Sequence, residues 1–181
     1  SDADLFMAIG RPLEDVLETF IHEGAHMEPL IGKQIGHGRA IKTKKEPVKT
    51  NAIIVDLDGT LAILNNRGPF EWENVENDNL NRPIAELIAM SQKHSYKTII
   101  LSGRDEAASE KTIKWLNQND IIYDKLYLRP SNNQMSYADY KRMIFINEIQ
   151  AKYNVLFILE DLPEVVKMWR DDFDLTVFQI T

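Results

Sequence analysis

Two aspartates, Asp56 and Asp58, stand one residue apart where the apolar run AIIVDLD (52–58) meets Gly59 and Thr60. Side chains alternate along a strand, so both carboxylates leave it on the same side. Carboxylates that close repel, and one resists ionising unless a cation intervenes. A Mg²⁺ ion meets that need, because it takes oxygen ligands and keeps room for water and a substrate phosphate. A second apolar run, VLFILED (155–161), ends in Glu160 and Asp161, and Asp161 can supply a further oxygen. A third, YKTIILSG (96–103), delivers Ser102 and then Arg104. Paired carboxylates, a metal and a few placed cations would suit a local site for a polyanion.

These residues need a frame that brings strand ends together. The pattern predicts strands over 52–58, 96–103, 125–129, 155–161 and 175–180. Helices are expected over 82–94, 106–119, 137–153 and 163–172, the first with Asn81 as N-cap and Pro83 in its first turn. Continuous apolar strands alternating with helices imply right-handed βαβ crossovers and a three-layer α/β sandwich around a five-stranded parallel sheet. Ligands of such sheets bind outside the C-terminal ends of the strands, where the strand order switches. Asp56, Asp58, Ser102, Arg104, Glu160 and Asp161 all fall at such ends. Residues 1–50 are expected to form one amphipathic helix and a basic linker, and 51–181 the sheet domain.

DLDGT (56–60) after its strand resembles the first motif of the haloacid dehalogenase (HAD) superfamily, and ILSG (100–103) resembles the second. Lys141 stands where the third motif has its lysine, and ILEDLPE (158–164) resembles the acidic fourth. The resemblance implies a Rossmann-like HAD fold and a Mg²⁺-dependent phosphatase working through an aspartyl phosphate. In that scheme Asp56 is the nucleophile and Asp58 the acid/base. Thr60, Ser102, Gly103 and Lys141 serve the phosphate, with Thr60 also fixing the loop and Asp58. The metal is expected on Asp56, the Asp58 backbone carbonyl, Asp161 and, through a water, Glu160. Glu160 stands where the family more commonly has aspartate, and pairing with Lys141 is its alternative task; Asp139 is a second candidate partner for that lysine.

A narrower resemblance involves NNRGPF (65–70), SGR (102–104) and VVKMWR (165–170), which look like the 3′-phosphatase domain of phage-type polynucleotide kinase/phosphatases. It implies DNA or RNA 3′-phosphate ends as substrates, leaves 2′,3′-cyclic phosphates open, and implies a kinase or ligase as partner domain. It carries Arg67 and Arg104 to the active site, where guanidinium groups can grip phosphate oxygens in pairs. The chain departs from that pattern at Tyr137 and Ala138, where the family has acids ahead of the lysine. The gaps 61–81 and 105–140 are too short for a large cap domain, and an open site suits the ends of macromolecules.

The net charge of −7 excludes a broad electrostatic grip on nucleic acid, since residues 50–181 hold 14 basic against 20 acidic residues. Only 33–49, with six Lys or Arg and one Glu, is strongly basic, as a solvated linker or a contact to a phosphate backbone. The absence of cysteine removes disulfides and thiolate zinc sites, and no apolar run suggests a membrane span. A cytoplasmic protein is expected, in the host cytoplasm if phage-encoded. HEGAH (22–26) satisfies H-E-x-x-H, but Gly24 interrupts the helical turn that zinc would need. Two other readings compete: a capless phosphatase of nucleotides, small metabolites or phosphoproteins, and a receiver-like domain that stores a phosphoryl group. The second carries its acidic pair after a different strand from its acceptor, whereas here Asp58 sits beside Asp56.

Overall fold

The computed structural model describes residues 48–181. The expected N-terminal helix, the basic linker as far as residue 47 and the HEGAH stretch lie outside the described residues. Five parallel strands, β1 (Thr50–Val55), β4 (Lys97–Asp105), β5 (Lys125–Arg129), β6 (Tyr153–Glu160) and β7 (Val177–Gln179), form one sheet in the order β5-β4-β1-β6-β7. Chain order runs outward from β1 to β5, then returns to the other side of β1. The switch in strand order therefore lies between β1 and β6, the two strands that end in the acidic motifs.

Helices α1 (Arg82–Lys93) and α2 (Ser109–Gln118) cover one face; α3 (Tyr137–Ile144) and α4 (Pro163–Phe173) cover the other. The alternation of β1 shows why. Ile53 and Val55 join the α1/α2 core, and Ala52 and Ile54 join the α3/α4 core, all fully or nearly fully buried. In α1, Ile84 and Ile88 lie one turn apart and both are buried, each contributing roughly 1.5–3 kcal/mol. This is the three-layer sandwich expected, without a large cap among the described residues.

Several local features differ from the sequence pattern. Asn81 precedes α1 but caps nothing with its side chain; its Nδ2 donates instead to the Thr60 carbonyl at 2.9 Å, tying the helix start to the Asp56 loop. The helix expected over 137–153 gives way to a π-turn at Phe145–Ile149, and β6 begins at Tyr153. Phe145 and Ile149 are both buried there, and the Phe145 ring packs 5.3 Å from Trp169 and 4.6 Å from Phe173. Core packing thus decides the winding at that point.

Three short elements had no sequence signal: β2 (Ala62–Ile63), a 3₁₀ turn (Trp72–Asn77) and β3 (Asn79–Leu80). β2 and β3 pair antiparallel and make a small flap between β1 and α1. None is long enough to display a period.

Candidate active site

Asp56 is the first residue after β1, and its amide donates to the Leu159 carbonyl of β6 at 3.0 Å. The chain then folds into a tight turn. Thr60 and Ala62 amides donate to Leu57 O, and Gly59 N donates to Ala62 O. Gly59 has a left-handed φ of 87°, and a Cβ there would stand 2.2 Å from Asp161 Oδ2. Glycine is therefore required twice, by its backbone angle and by the approach of the β6 carboxylate. The turn uses the amides of Gly59 and Thr60 internally, and among the described residues those of Leu57 and Asp58 make no such bond.

Ser102, Gly103 and Arg104 sit inside β4 rather than after it. Between β4 and β5 the register shifts, with Leu101 opposite Tyr127 but Asp105 opposite Arg129. Four steps on one strand match two on the other, so the chain bulges across the three site residues and re-aims their side chains. Ser102 Oγ accepts from the Arg104 amide at 3.1 Å and keeps its own proton to donate.

At the switch point, Lys141 Nζ lies 2.7 Å from Asp56 Oδ1 and 2.6 Å from Glu160 Oε2, with all three side chains buried. Glu160 is thus the acidic partner of Lys141 alongside Asp56. Asp139, the other candidate, pairs with Ser136 and Arg142 on the helix surface. Burial works to lower the Lys141 ammonium, but Asp56 and Glu160 outweigh it and hold the amine above its ordinary range. Burial pushes Asp56 well above the usual carboxylate range; Lys141 opposes this, and Glu160 and Asp161 add to it. Burial also raises Glu160 and Asp161.

Oxygens of Asp56, Glu160 and Asp161 lie within 4.8 Å of one another. Three buried or half-buried acids share one neighbouring ammonium there, an excess of negative charge that a divalent cation would offset. The all-oxygen donor set fits Mg²⁺. Thr60 Oγ1 approaches Asp161 Oδ1 at 3.4 Å. It is fully buried and outside the cavity lining, and its hydroxyl orients Asp161.

Arg67 and Arg104 converge from the flap and from β4 on one carboxylate. Arg67 Nη2 reaches Asp58 Oδ1 at 2.5 Å, Arg104 Nη2 reaches the same oxygen at 2.7 Å, and Arg104 Nε reaches Oδ2 at 3.0 Å. Behind them stands Asp78, a residue with no distinguishing mark in the sequence. It accepts from Arg67 Nε at 2.7 Å, Arg67 Nη2 at 2.6 Å and Arg104 Nη2 at 3.2 Å. Thr112 Oγ1 and the Gly68 carbonyl take further guanidinium donors. Both arginine side chains and Asp78 are completely buried, whereas Asp58 is a quarter exposed. Both guanidinium groups clamp Asp58; Arg104 also lines the cavity, and Arg67 is not among the residues lining it.

The cavity, about 230 Å³, is lined by Asp56, Asp58, Ser102, Lys141 and Asp161 on its polar side and by Leu64, Trp72 and Leu162 among its apolar residues. Gly103 and Tyr137 meet at its edge. A Cβ on Gly103 would lie 2.3 Å from the Tyr137 ring, and Tyr137 opens the helix that carries Lys141. Gly103→Ala is expected to lower kcat by roughly 10²-fold, since small displacements of a positioned group cost that much. Adding Tyr137→Ala makes room for the methyl and should restore part of the loss, as steady-state phosphate release would show.

The family model of the polynucleotide kinase PNKP phosphatase domain matches residues 50–181. A protein of Autographa californica nuclear polyhedrosis virus, described as a bifunctional polynucleotide kinase/RNA ligase, is 33% identical over 132 residues, covering 71% of this chain and 19% of that protein. A chain in the solved Pnkp1/Rnl/Hen1 complex superposes with a TM-score of 0.71 at 37% identity, over 79% of this chain and 51% of that one. A second structure, of the Pnkp1/Rnl/Hen1 RNA repair complex, gives 0.70 at 38% identity, over 80% and 48%. This chain therefore spans about half the length of those solved relatives and a fifth of the viral one. The class C acid phosphatase of Bacillus anthracis shares the fold, with a TM-score of 0.52 at 13% identity over 75% of this chain and 69% of that one. No helix among the described residues is long and apolar enough to cross a membrane. With four motifs at one sheet edge and the family match covering the whole sheet domain, the chain belongs to the polynucleotide kinase phosphatase-domain family of the HAD superfamily and is a phosphatase.

Proposed function

We propose that the protein is a Mg²⁺-dependent phosphomonoesterase that removes 3′-phosphates from DNA or RNA ends in nucleic-acid end repair. The observation that carries the chemistry is the arrangement around Asp56 and Asp58: one carboxylate held by Lys141, the other clamped by two arginines, both open to one cavity. The polynucleotide substrate is supported by the family match, by relatives named for RNA repair and kinase/ligase activity, and by an active site without a large cap. A kinase or ligase domain is the partner this reading implies.

Lys141 occupies Asp56 Oδ1 and leaves Oδ2 to attack phosphorus in line. The new P–O bond forms as the bond to the leaving oxygen breaks, and the electron pair goes to that oxygen. Asp58 protonates it. Oδ1 of Asp58 accepts from two guanidinium groups, whereas Oδ2 accepts only from Arg104 Nε. Oδ2, with fewer donors on it, keeps a lone pair and is the atom assigned to exchange the proton. In the second half, Asp58 takes a proton from water as it attacks phosphorus, and Asp56 leaves as a carboxylate. Ser102, Lys141 and the Leu57 and Asp58 amides hold the equatorial phosphoryl oxygens through both steps. The metal, on Asp56 and Asp161 with Glu160 and the Asp58 carbonyl, would neutralise charge on the transferring group.

A phosphate-release panel tests this reading: 3′-phosphorylated and 5′-phosphorylated oligonucleotides, 2′,3′-cyclic ends, mononucleotides and an aryl phosphate. Turnover of the 3′ ends well above the others is expected. Turnover of mononucleotides with inert 3′ ends would refute the substrate and keep the mechanism. Chelation with EDTA should abolish release, and Mg²⁺ should restore it. Mg²⁺ should also raise the melting temperature in proportion to log concentration, because it binds the folded site and not the unfolded chain.

A further inference from the structure

A second cavity of about 220 Å³ adjoins the first, and the two share Trp72, Gly103 and Tyr137 as a common wall. Either alone is smaller than the about 300–1,000 Å³ typical of ligand sites; joined, they reach that range. Phe70 stands at the mouth of the second, 68% exposed, with its ring edge-on to Trp72 at 6.1 Å. On the opposite wall the Arg129 guanidinium lies 5.3 Å from the centre of the Tyr137 ring. Asn132, Asn133 and Gln134 add amide groups along the rim.

One exposed phenylalanine is ordinary on a protein surface. The informative feature is its company. Three aromatic rings, a cation stacked on one of them and a row of amides continue directly from the cavity that holds Asp56 and Lys141. Among the described residues, Asp105 is the one acid lining this second cavity, and its carboxylate is engaged by the Ser131 hydroxyl and the Ala107 amide. Flat π faces and amide donors and acceptors match a nucleobase, whereas a small aliphatic phosphoester has nothing to place there.

Resting on the nucleic-acid reading above, we propose that the groove of Phe70, Trp72 and Tyr137 is the subsite for the terminal nucleobase of the strand whose 3′-phosphate meets Asp56. It selects strand ends with an unpaired, stackable base. The sequence is not read: aromatic faces accept any base, and the neighbouring amides tune preference.

The test uses the full chain with Phe70→Ala and Phe70→Trp. Two substrates are compared, a 3′-phosphorylated single-stranded oligonucleotide and the same strand ending in an abasic 3′-phosphate. Phe70→Ala should raise KM for the intact strand by roughly 5- to 50-fold, with kcat held and the abasic KM moved less than two-fold. Phe70→Trp should restore the intact strand. Fluorescence of 2-aminopurine at the 3′ terminus should be quenched by Asp56→Asn protein and recover when Phe70→Ala is added. Equal changes on both substrates, or quenching that ignores Phe70, would overturn the subsite while wild-type release from 3′ ends upholds the function. No release by the wild type from any 3′-phosphorylated strand would overturn both.

Discussion

Asp56→Asn should lose turnover by at least ~10⁴-fold while the protein stays folded. The amide is isosteric but cannot form a stable ester with phosphorus, and no other carboxylate near the cavity can take its place. Asp161 and Glu160 enter from β6, and Glu160 is already bound to Lys141 and to the Leu162 amide. The fold should not suffer. Burial holds Asp56 above the ordinary carboxylate range, so once ionised it favours the unfolded chain, whose carboxyl loses its proton more easily. Asparagine removes that penalty, and Lys141 keeps Glu160 as its counter-ion. In metal-free protein the melting temperature should equal or exceed that of the wild type. Stopped phosphate release together with retained circular dichroism is the expected pair of results; residual turnover near the wild-type level would remove Asp56 from the nucleophile role.

The second large effect belongs to Asp78. Its carboxylate neutralises two completely buried guanidinium groups, and its carbonyl accepts the Trp115 indole proton at 2.8 Å. Asp78→Ala removes the first role and keeps the second. Two buried cations then share Asp58 alone. Loss of one partner from a buried ion pair costs about 3–5 kcal/mol, and denaturant unfolding should show a loss of that size. Activity measured well below the melting temperature should fall as well, because Arg67 is no longer held between two carboxylates and Asp58 loses its fixed orientation. Asp78→Asn keeps the shape and one acceptor oxygen but turns an NH2 donor toward the guanidinium groups, so it should lie between alanine and wild type in both measurements. A stable Asp78→Ala protein would mean that the arginines find other partners, and the clamp would then be incidental.

The contrast between Asp56 and Asp78 shows what could be read from the chain and what could not. Asp56, Asp58, Ser102, Glu160 and Asp161 were legible because each ends a continuous apolar run, and parallel sheets gather their ligands at strand ends. The three layers were legible for the same reason: strands covered on both faces are apolar throughout, and the helices between them carry a 3.6-residue period. Asp78 follows a 3₁₀ turn in a stretch that also holds Glu71, Glu73 and Glu76, and nothing in its spacing separates it from those surface acids. The same gap hid the contacts that Arg67 and Arg104 make with Asp78.

The amino-acid sequence by itself determined the sheet, the order of the four motifs and the placing of Asp56, Asp58, Ser102, Glu160 and Asp161 at one sheet edge, because these depend on local periodicity and on strand ends. Tertiary structure decided the rest. It chose Glu160 over Asp139 for Lys141, turned Thr60 toward Asp161, shifted the register of β4 so that Ser102–Arg104 bulge, and closed two arginines on Asp58 through Asp78. Those choices depend on which charges share a water-free space. Residues 26 or 101 positions apart in the chain meet there, and the cost of leaving a buried charge unpaired selects the partner.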